Sequence, residues 1–162
     1  MDSRNAAWRT PVSYEARLKD LGIVLPESSA PLASYVPVMV HGDMAFVSGQ
    51  LPFVDGEVVT GTLGKDVALE DAIAAARACG LMILSQLRNE IGSLDRVKQV
   101  VKLGGFVAST PDFTDQHKVV NGASDLMAEI FGDAGRHARA AVGVPCLPVG
   151  AAVEVDAVIA LG

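Results

Sequence analysis

The sequence predicts an α+β fold: one mixed sheet with two helices on a single face, in the order β-β-(β)-α-β-α-β-β. Three observations carry this. Ala68–Ile91 and about Gln116 to Phe131 space their apolar residues by three and four, the period of an amphipathic helix. Each is followed by a run of β-formers, so each helix connects two strands; such crossovers are right-handed, which sets both helices on one face. The strands are apolar on both faces, yet no third long helix remains to cover the second.

From the N-terminus, Tyr14–Leu21 reads as a short helix, with Leu18 and Leu21 at i, i+3 and Gly22 as its stop. Pro26–Pro31, PESSAP, is linker-like, so residues 1–30 read as an N-terminal helix and linker and 31–162 as the main domain. Val36–Val40 and Met44–Gln50 form a hairpin pattern around His41-Gly42-Asp43, and Glu57–Val59 is a third short strand. The first long helix carries Ile73, Ala76, Gly80, Leu84, Leu87 and Ile91 on one stripe, with Glu70 and Asp71 at its start, where negative charge suits the helix dipole. Val97–Ala108 is a strand whose faces Val97/Val101/Leu103 and Val100/Phe106 are both apolar; Gly104-Gly105 suggests a bulge or a close backbone approach. The second long helix places Val120, Ala123, Met127 and Ile130 on one stripe. Ala140–Val144, a turn at Pro145–Gly150, and Ala152–Leu161 complete the order.

The chain has 162 residues, half of them apolar, with only 5% aromatic. Mean hydropathy is +0.35, greasy for a small soluble monomer. The uncovered sheet face accounts for the surplus if another subunit covers it, so the excess Val and Ala are assigned to an oligomer interface. The net charge of −6 disfavours broad binding to nucleic acid or anionic membranes. Cys79 and Cys146 form no CxxC, Met1–Thr10 has no apolar signal core, and the uncharged run Ala140–Val153 is broken by prolines. The reading is a soluble cytoplasmic protein without a metal site.

Nucleophile-elbow, phosphate-loop and dinucleotide motifs are absent. His41, His117 and His137 read as structural or neutral. Arg139 opens an apolar strand, where it can grip a carboxylate bidentately or simply form a structural ion pair. Glu154 lies inside the last strand, sharing a face with Asp156 and Val158, so it needs a partner or a purpose: a solvated face, a salt bridge between subunits, or catalysis. Ser48-Gly49-Gln50 ends a strand.

Taken together, Tyr35-Val36-Pro37, Phe46-Val47-Ser48-Gly49-Gln50-Leu51-Pro52, Pro111-Asp112-Phe113-Thr114 and HARAAVGVPCLPVGAAVEVDAV (137–158) resemble the YjgF/RidA family, also called the endoribonuclease L-PSP family. The likeness runs from about Pro31 to Leu161, and the spacing of Ala138-Arg139, Leu147-Pro148 and Glu154 is its most specific part. The leading RLKDLGI segment and FTDQHKVVNGASDL resemble a longer subgroup.

The resemblance implies a chorismate mutase-like fold, a homotrimer around a central barrel, and sites in clefts between subunits. It implies hydrolysis of reactive imines and enamines to 2-oxo acids and ammonia, by an enzyme of the 2-iminoacid/enamine deaminase type without a cofactor. By position, Arg139 would bind the substrate carboxylate and Glu154 would orient or polarise the attacking water. Tyr35, Ser48, Gly49, Phe106, Asn121 and Ala141 would line the cleft, Gly49 through its backbone. Ala140 and Ala141 stand where the RidA type often has Ser and Cys, and the Phe113–Asn121 segment is longer than in compact members. A non-catalytic protein that binds small carboxylate metabolites is the alternative, and a ribonuclease is a third reading against which the net charge argues.

Overall fold

The structure, a computed structural model, describes residues 13–28 and 34–162. Met1–Thr10 and part of the 26–31 linker fall outside the described residues. The elements are α1 (Tyr14–Asp20), β1 (Val38–His41), β2 (Met44–Gln50), β3 (Phe53–Val54), β4 (Glu57–Val58), α2 (Leu69–Ile91), β5 (Val97–Ala108), α3 (Gln116–Phe131), β6 (Ala138–Val144) and β7 (Val153–Leu161). This is the expected α+β order. Five strands form one mixed sheet, ordered β1-β2-β7-β5-β6; β5 and β6 pair in parallel, as the α3 crossover requires, and the other neighbours pair antiparallel. The third strand pattern belongs to a separate ribbon, β3–β4, and Val36 lies just before β1, its carbonyl accepting from Ser48 Oγ.

The core lies between the sheet and the helices. Along β7, Val153, Val155, Ala157 and Ile159 are buried toward α2 and α3, and the alternate residues Glu154, Asp156, Val158 and Ala160 are half-buried on the other face. β5 corrects the faces assigned from strict alternation. Register shifts between Val97/Gln99 and Val100/Lys102 bring Val97, Val100 and Leu103 all to the buried side and leave Val101 exposed. The bulges therefore precede Gly104-Gly105. The glycine pair instead allows close approach: Gly104 lies against the Asp156 carboxylate and Gly105 against Val120.

Part of the alanine surplus lies inside the chain. Ala72, Ala75, Ala76 and Ala78 of α2 are buried within this chain. α3 crosses α2 so closely that a Cβ on Gly122 would stand 1.9 Å from the Ile73 carbonyl oxygen. Small side chains let two helix backbones approach, and bulky aromatics would hold them apart. The open sheet face exposes Met39 (54%), Phe46 (47%) and Val142 (44%), with Ala138 and Ala140 exposed on the same side as Val142.

α1 closes the outer end of the helical layer. Leu18 joins the main core, Tyr14 packs edge-on to Phe131 at 4.7 Å, and the Glu15 carboxylate accepts from the Leu94 amide at 2.9 Å. Its N-terminus is capped by Ser13, whose Oγ accepts from the Ala16 amide. No helix among the described residues is long and apolar enough to cross a membrane.

Candidate functional site

The residues singled out from the sequence fall into two groups on opposite faces of the sheet. The first lies where β2 bulges against β7. Register shifts between Val47 and Gln50, which pair with Ala157 and Val155. The extra residue turns Ser48-Gly49 across the end of β7. Ser48 donates its hydroxyl to the Val36 carbonyl at 2.9 Å, tying down the segment that follows Tyr35, which is exposed. The Glu154 carboxylate rests on Gly49, where a Cβ would stand 1.9 Å from Oε1. Only glycine leaves room for it. Phe106 is the cross-strand partner of Glu154 on β5, half-buried beside it. Burial holds the Glu154 carboxyl above its ordinary value, and the negative charge of Asp156 on the same face adds to the shift.

The second group lies at the outer edge strand β6. Arg139, Ala141 and Gly143 face α3; Ala138, Ala140 and Val142 face the other way. Arg139 is exposed, not sunk in a buried strand end as its sequence context suggested, because β6 is an edge with one neighbour. Its Nη1 donates to Asn121 Oδ1 at 2.8 Å and to Ser124 Oγ at 3.0 Å, and its Nη2 donates to the His117 carbonyl at 3.1 Å. All three acceptors are uncharged. Among the described residues no carboxylate lies within 4.0 Å of it, so the structural ion pair is not formed. A guanidinium has five donors; three are used here, leaving Nε–H and one hydrogen on Nη2. Nε and Nη2 form the edge that can grip a carboxylate with two parallel bonds, and Nη2 already gives one hydrogen to the His117 carbonyl.

Asn121 sits in the second turn of α3. Ala141 packs its methyl against the core and offers no polar atom. A cavity of about 350 Å³ opens past Gly143, lined by Ser109, Phe113 and Gln116. Ser124, which the sequence did not single out, and His137, read there as structural or neutral, belong to this group. Ser124 lies three residues after Asn121, on the same face of α3, a spacing that was visible. His137, two residues before Arg139, meets Ser124 at 2.9 Å; nothing local in the sequence signals that contact. Among the described residues no cluster of three His, Cys, Asp or Glu side chains is placed to hold a metal.

A mixed sheet layered by α2 and α3, with an edge-strand arginine bound to neutral acceptors on one face and a half-buried carboxylate on the other, defines an α+β protein. The comparisons make this specific. The profile described as "YjgF/chorismate mutase-like, putative endoribonuclease" matches residues 15–160. The chain is 53% identical over 148 residues to Protein TCP17 of Trypanosoma cruzi, covering 90% of this chain and 92% of that protein. It superposes on the crystal structure of Atu1372, a protein of unknown function from Agrobacterium tumefaciens, with TM-score 0.85 and 47% identity, over 93% of this chain and 94% of that one. A "putative endoribonuclease" of Shewanella oneidensis gives TM-score 0.88 and 35% identity, over 92% and 99%. The chain belongs to the YjgF/RidA family.

Proposed function

We propose that the protein hydrolyses reactive imines and enamines of 2-oxo acids, in clefts between the subunits of a homotrimer. The observation that carries this is Arg139, fixed by three neutral acceptors, paired with no carboxylate among the described residues, and keeping Nε–H and one Nη2 hydrogen for an anion. An iminium carbon next to a carboxylate is already open to attack by water. The protein must hold the carboxylate, place one water and take its proton. Water adds to C=NH2⁺, the C–N bond then breaks, and the products are a carbonyl and ammonium. Glu154 is suited to the water: its raised pKa brings proton transfer closer to neutral pH. Ser48 and the Gly49 backbone fix its surroundings, Tyr35 and Phe106 wall the cleft, and Asn121 holds Arg139. The exposed Met39, Phe46 and Val142 support burial of the open face against other copies.

The test is to generate 2-iminopropionate from alanine with an amino-acid oxidase and follow its loss. The wild type accelerates the loss over buffer; Arg139→Ala reduces the acceleration about 10²-fold, the scale for removing one charge-stabilising donor. A wild type no faster than buffer overturns the reading for this substrate. One observation favours the second reading, a carboxylate-binding protein without turnover: Ala140 and Ala141 supply no polar side chain beside Arg139. That reading expects ligand-dependent thermal stabilisation, lost in Arg139→Ala, with no product formed.

A further inference from the structure

We propose that Ser124 and His137 are positioning residues that aim the Arg139 guanidinium; their effect on ligands rests on the reading of Arg139 as a carboxylate anchor. Four groups form a chain: the Gly135 carbonyl, His137, Ser124 and Arg139. His137 Nδ1 lies 2.6 Å from the Gly135 oxygen, its Nε2 lies 2.9 Å from Ser124 Oγ, and Ser124 Oγ accepts from Arg139 Nη1 at 3.0 Å. The direction of each bond follows from chemistry. A carbonyl only accepts, so Nδ1 carries the proton; in the neutral ring Nε2 is then an acceptor. The Ser124 proton goes to Nε2, and the oxygen lone pairs face the arginine.

This is not the ordinary behaviour of a serine inside a helix, which donates to the carbonyl one turn back. His137 gives the hydroxyl a different acceptor and so fixes which way its lone pairs point. With Asn121 taking the other Nη1 hydrogen, both hydrogens of that nitrogen are consumed. The group cannot offer its Nη1 end to a ligand, and its Nε/Nη2 edge is held in one direction. Without the relay, the guanidinium loses one of its three anchors and is held only by Asn121 on Nη1 and the His117 carbonyl on Nη2, so its plane is less restrained.

Two measurements on the full-length protein test this: relaxation of the Arg139 Nε–H by NMR, and calorimetric binding of pyruvate as the carboxylate probe. Ser124→Ala and His137→Leu are expected to make the Nε–H mobile and weaken pyruvate binding about tenfold, the scale of one hydrogen bond to a charged group. Ser124→Thr keeps the hydroxyl and His137→Gln keeps an acceptor near Nε2, so both are expected to retain a rigid Nε–H and near-wild-type affinity. A rigid Nε–H in both Ser124→Ala and His137→Leu overturns the proposal, whether or not pyruvate binds. Unchanged pyruvate binding in Arg139→Ala overturns the anchor reading instead, and the Nε–H relaxation still decides the relay.

Discussion

Arg139 and Glu154 lie on opposite faces of one sheet. Arg139 is level with Leu103 and Ala157, whereas Glu154 is level with Phe106 and Val142. Two strand spacings, about 10 Å, and three residues along the strand, about another 10 Å, separate them. One protomer therefore cannot bring both to one small substrate, and a site that uses both takes them from different copies.

Mixing variants tests that arrangement. Arg139→Ala and Glu154→Gln homo-oligomers are each expected to be inactive. Unfolded together and refolded at equal amounts, they recover activity, because some clefts pair an intact Arg139 with an intact Glu154. Random assortment gives about a quarter of wild-type sites when each site spans two subunits. No recovery in verified mixed oligomers contradicts a shared site.

Two glycine replacements separate the site from the fold. Gly49→Ala displaces only the end of the Glu154 side chain, which can swing aside. Its expected cost is about 1 kcal/mol or less in stability, with turnover falling as far as in Glu154→Gln. Gly122→Ala meets the backbone of Ile73 and Arg77, which cannot yield. It is expected to cost about 3 kcal/mol or more, since α2 and α3 must move apart. Thermal melts and turnover on both variants check the contrast.

The raised pKa of Glu154 has a signed consequence. The folded protein keeps a proton there at a pH where the unfolded chain has lost it. Stability therefore falls as pH rises from the ordinary glutamate value, about 4.3, toward the raised folded value. Glu154→Gln removes that loss. The melting temperature of the variant minus that of the wild type is expected to grow across this window and then level off. A difference that is flat or shrinks with pH shows that burial and Asp156 do not govern the group.

Val149 adopts φ 51°, a left-handed conformation that a β-branched residue resists, at a turn where its side chain is 73% exposed. At that exposure the side chain gains little burial to offset the strain. Val149→Asn, which tolerates that region, is expected to stabilise by about 1 kcal/mol. That raises the melting temperature of a chain this size by about 2–4 °C. A lower melting temperature shows that Val149 makes a contact absent from the single chain.

Element identity was legible because hydrophobic period is a local property. β5 and α3 occupy the spans read from Val97–Ala108 and from about Gln116 to Phe131. The bulges of β5 were not legible: Val97, Val100 and Leu103 share a face only because β7 slips against β5, and slippage belongs to a pair of strands. The same limit applied to the site. Arg139 and Glu154 stood out as charges within apolar strands. His137 and Ser124, thirteen residues apart, became one chain of hydrogen bonds only when α3 was laid over β6.

By itself the sequence determined the α+β order, the uncovered sheet face, and the two charged residues worth testing. Apolar spacing along the chain suffices for the first two, and the cost of burying a charge marks the third. Only the tertiary structure decided where those charges point. Strand pairing placed Arg139 on the helix side and Glu154 on the open side. The neutral acceptors of α3 then left the arginine unpaired with any carboxylate among the described residues. A side chain's partners are set by which elements pack together, and that packing is a property of the whole chain.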